Sequence, residues 1–224
     1  MKSLDENKIC FIACVNDESF YEESVYYLNQ LVIPEGMTVD LLAVRGASSM
    51  ASGYQKAMES SDAKYKIYIH QDIFVLNKMA LCTLIDMFRR NPSVGMAGLV
   101  GAGELSQERP IWWESSSRCG KGYNRKSMEE IQLDVYGVFS GEFMPVQAID
   151  GIFMATQYDV PWRSDLFREW HFYDISQSFE FVRHGYKVVV MQQQEAWVIH
   201  FANRKSADES YISNMEIFKS CYMA

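Results

Sequence analysis

The stretch YKIYIHQDIFVL, at residues 65–76, indicates the fold most directly. It begins as a strand of the kind that a fold buries, and it ends in a second apolar run. Between the two, His70, Gln71 and Asp72 follow one another. A buried strand that ends on an imidazole and a carboxylate predicts polar chemistry at the strand tip.

Strand-like and helix-like segments alternate around this stretch through the first hundred residues. Apolar runs resembling strands occupy residues 8–15, 37–45, 64–72 and 94–102, and segments with helical spacing occupy residues 17–33, 48–61 and 77–92. Ser19 and Glu22 have the spacing of a capping box at the first helix, and serines precede the second. The alternation predicts a Rossmann-like α/β fold with a mostly parallel sheet flanked by helices.

The alternation stops after about residue 101. Residues 101–147 contain Gly, Ser and Arg, with weak strand signals at 135–139 and 144–149. A loop, a helix and a strand then follow within residues 170–191. We therefore expect a smaller region beside the first.

The chain ends in an amphipathic segment, residues 206–224. Tyr211, Met215, Phe218 and Tyr222 fall on one stripe of the predicted helix. We expect this stripe to pack onto the body of the protein. A membrane contact or a homodimer contact is the alternative.

Length and composition indicate one globular domain over residues 1–224. Hydrophobic residues make up 48% and charged residues 22%, enough for a sizeable core. We divide the domain into residues 1–100, 101–203 and 204–224. A net charge of −8 without a basic cluster argues against a nucleic-acid partner.

Cysteine usage and apolar runs indicate the compartment. The five cysteines are odd in number and have no metal-site spacing, which favours a reducing, cytoplasmic location. No apolar run approaches the roughly 20 residues of a transmembrane helix. Peripheral association with the inner membrane is compatible with this pattern.

Ligands of open parallel sheets bind beyond the carboxyl ends of the strands, where His70-Gln71-Asp72 falls. Strand alternation places His70 and Asp72 on one side, where they could hold a divalent ion. Alternatively, Asp72 caps a turn and His70 is a structural histidine.

Further candidates lie later in the chain. Asp174 is either a helix N-cap or a general base beside a cleft. His200 follows an apolar run and is either structural or functional. Asp150 with Gly151 is either a turn or a substrate contact. The tryptophans Trp112, Trp113 and Trp162 could stack on a sugar or a base, or belong to the core.

The order of these motifs resembles the family 2-like glycosyltransferases of the GT-A fold, especially a bacterial branch with a His-Gln-Asp metal motif. The matching segments are GYQKAM (53–58), YKIYIHQDIFVL (65–76), IDGIFMAT (149–156), HFYDISQSF (171–179), HGYKVVV (184–190) and VIHF (198–201). The resemblance extends from about residue 8 to residue 201. It implies a GT-A sheet with an acceptor-side region.

The resemblance implies roles for named residues. His70, Asp72 and His200 would bind a divalent metal, Mn²⁺ or Mg²⁺, that holds the diphosphate of a nucleotide sugar. Asp174 would be the catalytic base. The nucleotide would be bordered by Val15, Asn16, Asp17, Arg45 and Gln71, and the acceptor or donor sugar by Asp150, Gly151, Trp112, Trp113 and His171.

The implied activity is an inverting transfer of a sugar from a nucleotide-diphosphate sugar to a hydroxyl acceptor. The acceptor would be a sugar or a lipid-linked sugar in bacterial surface polysaccharide or glycoconjugate synthesis. His70 stands where relatives carry the first Asp of an Asp-x-Asp motif. A catalytically inactive nucleotide- or sugar-binding module is therefore the alternative.

Overall fold

The computed structural model describes residues 3–125, 129–201 and 209–223. The strands are β1 (Asp5–Val15), β2 (Thr38–Arg45), β3 (Ala63–His70), β4 (Ile73–Val75), β5 (Val94–Gly98), β6 (Val100–Ala102), β7 (Arg118–Arg125), β8 (Ile131–Val135), β9 (Phe143–Pro145), β10 (Ala148–Ile149), β11 (Phe153–Thr156), β12 (Lys187–Met191) and β13 (Val198–His200). The helices are α1 (Glu18–Leu28), α2 (Met50–Ser60), α3 (Ala80–Arg90), α4 (Tyr173–Arg183) and α5 (Glu209–Tyr222), and a 3-10 helix lies at Trp112–Glu114.

The larger sheet has seven strands in the order β2-β1-β3-β11-β5-β12-β9. β1, β2, β3, β5 and β12 run in one direction, whereas β11 and β9 run in the other. The α/β class is confirmed. The sheet is mixed rather than wholly parallel, because β11 from the second half of the chain inserts between β3 and β5.

The smaller sheet has six strands, with the order β10-β6-β7-β13-β4 and with β8 beside β7. Two apolar runs change sheets: residues 94–102 divide into β5 and β6, and residues 65–76 into β3 and β4. The chain leaves the larger sheet at His70 and enters the smaller one at Ile73. The polar interruption is therefore the corner between the two sheets.

The helix starts follow local hydrogen bonding. Asp17 caps α1, because its carboxylate accepts from the backbone N–H groups of Ser19 at 3.0 Å and Phe20 at 3.4 Å. The capping box predicted on Ser19 and Glu22 is wrong for that reason. In α2, Ser49 and Ser52 cap each other's backbone at 3.1 Å, as the preceding serines indicated.

The weakest strand prediction is displaced. The signal at residues 135–139 corresponds to β8, which ends at Val135. Pairing with β7 places Val135 opposite Lys121 and Ile131 opposite Arg125. The partner strand, rather than local alternation, sets the position of β8.

The α5 stripe packs on the body of the protein, as predicted. Phe218 is fully buried and its ring lies 5.1 Å from that of Phe179 on α4. The hydroxyl of Tyr222 donates to Glu180 at 2.7 Å. Residues 206–208 and 224 of the predicted segment lie outside the described residues. Across the described residues, no helix has both the length and the apolar character to cross a membrane.

Candidate active site at the junction of the sheets

His70, Asp72 and His200 meet at the corner between the sheets. His70 ends β3, and His200 ends β13, which pairs with β4 so that His200 lies opposite Ile73. Nε2 of His200 is 3.7 Å from Oδ2 of Asp72, and the two imidazole centroids are 5.5 Å apart. Ligand atoms of all three residues lie within 4.8 Å of one another.

The chemistry of this cluster fits a divalent metal ion. Two imidazoles and a carboxylate are a donor set that transition ions bind well. Burial, followed by the neighbouring His200, lowers the pKa of His70 to about 4, against an opposing effect of Asp72. His70 is therefore neutral near pH 7, which is the state that coordinates metal.

Tyr173 supports the cluster from α4. Its hydroxyl lies 2.5 Å from Nε2 of His70, and its ring is buried. A hydrogen bond to a ring nitrogen of a ligating histidine fixes the ring orientation and the tautomer. The sequence around Tyr173 gives no sign of this contact, because His70 lies in a distant segment of the chain.

A cleft of about 260 Å³ opens on one side of the cluster. It lies at the ends of β1 and β2, and its lining residues are Cys14, Val15, Asn16, Val44, Gly46, Ala47, Met50, His70, Gln71, Asp72 and Trp170. Gln71 ties this rim together: its Oε1 accepts from the N–H groups of Asn16 at 2.8 Å and Asp17 at 2.9 Å.

Two of the predicted nucleotide contacts lie outside this lining. Asp17 uses its carboxylate to cap α1. Arg45 is exposed and makes two hydrogen bonds to Glu18, at 2.7 and 2.8 Å. The structure adds Trp170 to the lining, an exposed tryptophan that the sequence did not single out.

A larger cleft of about 460 Å³ opens on the other side. Its lining residues are Val100, Arg109, Ile111, Trp112, Trp113, Glu114, Arg118, Gly122, Tyr123, Asn124, Tyr136, Asp150, Ile152, His200 and Tyr211. It is rich in aromatic side chains, and it reaches the metal-type cluster at His200. Trp112 is buried, whereas Trp113 is 43% exposed. Trp162, in contrast, is buried beside Tyr54 and Tyr68 and belongs to the core.

Asp174 lies one peptide group from the larger cleft. Its Oδ2 accepts from the N–H of Gly151 at 3.0 Å, and the neighbouring Asp150 lines the cleft. Burial raises the pKa of the Asp174 carboxyl above its ordinary value, against backbone hydrogen bonds from Ile175 and Gly151 that lower it. A raised pKa makes this carboxylate a better proton acceptor.

Asp174 is not the N-cap of α4. Phe172 occupies that position with φ 62°, in the left-handed region, and Asp174 falls in the first turn. His171 is not itself a lining residue of the larger cleft. Its ring centroid lies 5.1 Å from that of Tyr211, the α5 residue that does line it.

Packing explains why position 151 is a glycine, whereas the sequence predicted a contact with substrate there. A Cβ at this position would stand 2.0 Å from the Tyr173 hydroxyl oxygen. The residue therefore leaves room for the tyrosine that supports His70.

The sequence model of the glycosyltransferase-like family matches residues 10–222. The chain belongs to this glycosyltransferase family. Among curated proteins, no sequence matches this chain. The match to the family model confirms the resemblance that the motif order indicated.

Solved structures of glycosyltransferases share the GT-A fold with this family member. Residues 1–349 of TarS from S. aureus, in complex with UDP-GlcNAc, align with a TM-score of 0.57 and 9% identity, over 89% of this chain and 60% of that one. GalNAc-T7 with UDP, GalNAc and Mn²⁺ aligns with a TM-score of 0.61 and 9% identity, over 96% and 48%. The mannosyltransferase PcManGT from Pyrobaculum calidifontis, with GDP-Man and Mn²⁺, aligns with a TM-score of 0.51 and 9% identity, over 91% and 57%.

The chain thus spans about 60% of the TarS fragment and smaller shares of the other two structures. At 9% identity, these likenesses establish the fold.

Proposed function

We propose that this protein transfers a sugar from a nucleotide-diphosphate sugar to a hydroxyl acceptor, with inversion at the anomeric carbon. The observation that carries the proposal is the position of the His70–Asp72–His200 cluster. His70 and Asp72 line the smaller cleft, and His200 lines the larger one. A donor cleft and an acceptor cleft that meet at a metal-type cluster are the arrangement that this reaction needs.

The nucleotide of the donor is assigned to the smaller cleft. Val15, Asn16 and Gln71 line it, and the Gln71 hydrogen bonds hold the end of β1 against the corner. The solved relatives in complex with UDP-GlcNAc and GDP-Man support a nucleotide sugar as the donor class.

His70, Asp72 and His200 would hold the divalent ion, Mn²⁺ or Mg²⁺, next to the donor diphosphate. An ion bound there supplies positive charge that stabilises the departing nucleoside diphosphate. Tyr173 keeps the imidazole of His70 in place through its hydroxyl.

Asp174 is assigned as the general base, and Asp150 as a contact for the acceptor. Asp174 takes the proton of the acceptor hydroxyl, the hydroxyl oxygen bonds to the anomeric carbon, and the bond from that carbon to the diphosphate oxygen breaks. A single displacement of this kind inverts the anomeric configuration. The raised pKa of Asp174 and its bond to Gly151 at the cleft wall support this role.

We further propose a cytoplasmic enzyme, free or peripheral to the inner membrane, that serves bacterial surface polysaccharide or glycoconjugate synthesis. The acceptor would be a sugar or a lipid-linked sugar. A homodimer would have to use a surface other than the α5 stripe, because Phe218 and Tyr211 in that stripe are buried within the chain.

The test is calorimetric titration of UDP and of GDP, with and without Mn²⁺, into the wild-type protein and Asp72→Ala. We expect metal-dependent binding of one nucleotide that Asp72→Ala abolishes. Asp86→Asn is the matched control, because Asp86 is an exposed carboxylate paired with Arg90 on α3. Nucleotide binding that is the same with and without Mn²⁺, and the same in Asp72→Ala as in the wild type, would contradict the assigned donor site.

A turnover assay distinguishes an active glycosyltransferase from the alternative, a catalytically inactive nucleotide- or sugar-binding module. We expect slow release of nucleoside diphosphate from the cognate UDP- or GDP-sugar by the wild type, and its loss in Asp174→Asn. The replacement of the first motif carboxylate by His70 favours the alternative, in which nucleotide binds but no sugar is released.

A further inference from the structure

Arg118 places a positive charge in the larger cleft. It begins β7 and is half-buried, and its guanidinium lies 5.1 Å from the centroid of the Tyr136 ring. Within the described parts of the chain, no carboxylate lies within ion-pair distance of it. The other arginine of the cleft, Arg109, is balanced by two hydrogen bonds to Glu114, at 3.0 and 2.8 Å.

The surroundings of Arg118 prepare it to bind an anion. Stacking on Tyr136 orients the planar guanidinium, so less side-chain freedom is lost when it binds a ligand. Its donors form a fork that matches a carboxylate or a phosphate. A half-buried cation with no carboxylate partner among the described residues is also unexpected in a chain with a net charge of −8, unless a ligand completes it.

Asp150 lies in the lining of the same cleft and carries the opposite charge. An acceptor in this cleft would present an acidic group to Arg118 and a hydroxyl toward the side of the cleft that carries Asp150 and Asp174. A neutral acceptor would leave the guanidinium without an anionic partner.

We propose that the acceptor carries an anionic group, a carboxylate or a phosphate, that Arg118 binds. This inference rests on the proposed function, because it takes the larger cleft as the acceptor site. It names a substrate class: an acidic sugar or a sugar phosphate rather than a neutral glycan.

The test measures binding of three probes, glucuronic acid, glucose 6-phosphate and glucose, by saturation-transfer NMR, with and without UDP and Mn²⁺. We expect at least one anion to bind about tenfold tighter than glucose, a difference typical of a hydrogen-bonded charged group. The two anionic probes tell a carboxylate from a phosphate.

Arg118→Gln should reduce anion binding to the level of glucose while leaving the Kd for UDP unchanged. Arg118→Lys, which keeps the charge but loses the fork, should retain part of the preference. Arg89 is an exposed arginine of α3, and Arg89→Gln is the matched control. It should change neither the anion binding nor the Kd for UDP.

Equal binding of anions and glucose, absence of binding by both anions, or anion binding that survives Arg118→Gln would overturn the inference. A failure of the proposed function shows differently, as absence of metal-dependent nucleotide binding in the wild type.

Discussion

The Oδ2 atom of Asp72 lies 3.7 Å from Nε2 of His200, although the two residues are far apart along the chain. The antiparallel pairing of β4 with β13 brings them together, and the N–H of Phe201 donates to the carbonyl of Asp72 at 3.0 Å. The candidate metal ligands are thus fixed by backbone hydrogen bonds, which favours a site that forms without rearrangement.

His200→Ala should weaken Mn²⁺ binding, because it removes one of the three candidate ligands. Electron paramagnetic resonance of free Mn²⁺ during titration measures the affinity directly. We expect a loss of at least about tenfold. His184→Ala is the control: His184 is exposed at the end of α4, and its removal should leave the Mn²⁺ affinity unchanged.

Tyr173→Phe should lower Mn²⁺ affinity by about 10–100-fold, the range for residues that orient a metal ligand. The change removes only the hydroxyl that contacts His70. The same titration reports it, and circular dichroism checks that the fold persists. Tyr158→Phe removes a hydroxyl bonded to the carbonyl of Pro92 instead, and unchanged affinity is expected there. Equal affinities for the two variants would contradict the positioning role.

Asp174→Asn should reduce kcat by about 10²–10⁴-fold, the range for loss of a general base. Nucleotide affinity should be retained, because Asp174 does not line the smaller cleft. Asp150→Asn is the discriminating variant. If Asp150→Asn lowers kcat by this factor and Asp174→Asn leaves kcat unchanged, the general base is Asp150.

The same Asp174→Asn change should raise the melting temperature, by an amount that depends on pH. The folded-state pKa of Asp174 is raised, so the folded protein holds its proton more tightly than the unfolded chain does. That stabilisation is present below the ordinary carboxyl pKa and is lost as pH rises through the folded-state pKa. Asparagine does not titrate, and its advantage over the wild type should therefore be larger at pH 7.5 than at pH 4. Calorimetric melting at both values tests this, and an advantage that shrinks with rising pH would refute it.

Gly151→Ala should destabilise the fold by about 1–3 kcal/mol, the cost of overpacking a tight site. The new Cβ meets the Tyr173 hydroxyl at 2.0 Å and the ring behind it at 2.6 Å. Combining it with Tyr173→Phe should relieve only part of the cost, because the ring carbon remains. In urea denaturation, Gly122→Ala serves as the control: its Cβ would have its nearest neighbour at 3.9 Å.

Phe218→Ala should lower the free energy of unfolding by about 3–5 kcal/mol, since it removes a fully buried ring from the α4–α5 contact. Ile212→Ala, on the exposed side of α5, should be close to neutral. Guanidinium denaturation compares the two. Similar small losses for both would mean that α5 does not pack on the body in solution.

Several parts of the fold were readable from local pattern. β1, β3 and β12 are short apolar runs of strand length, and such runs indicate buried strands. The packing of α5 on the body was predictable, because helical spacing places Tyr211 and Phe218 on one apolar face. The serines before α2 predicted where this helix begins.

Other parts depended on partners elsewhere in the chain. The displacement of β8 to Ile131–Val135 follows from its pairing with β7, which local alternation does not specify. The insertion of β11 between β3 and β5 makes the sheet mixed, and strand order is set by long-range pairing.

By itself, the sequence determined the α/β class, the order of motifs that identified the family, and the polar tip at His70-Gln71-Asp72. Only the tertiary structure decided that this tip is a corner between two sheets, with His200 beside Asp72 and a cleft on each side. The sequence missed Tyr173 and Arg118 for the same physical reason. What each side chain can do depends on the ring, charge or cleft that folding brings next to it, and those neighbours come from distant segments of the chain.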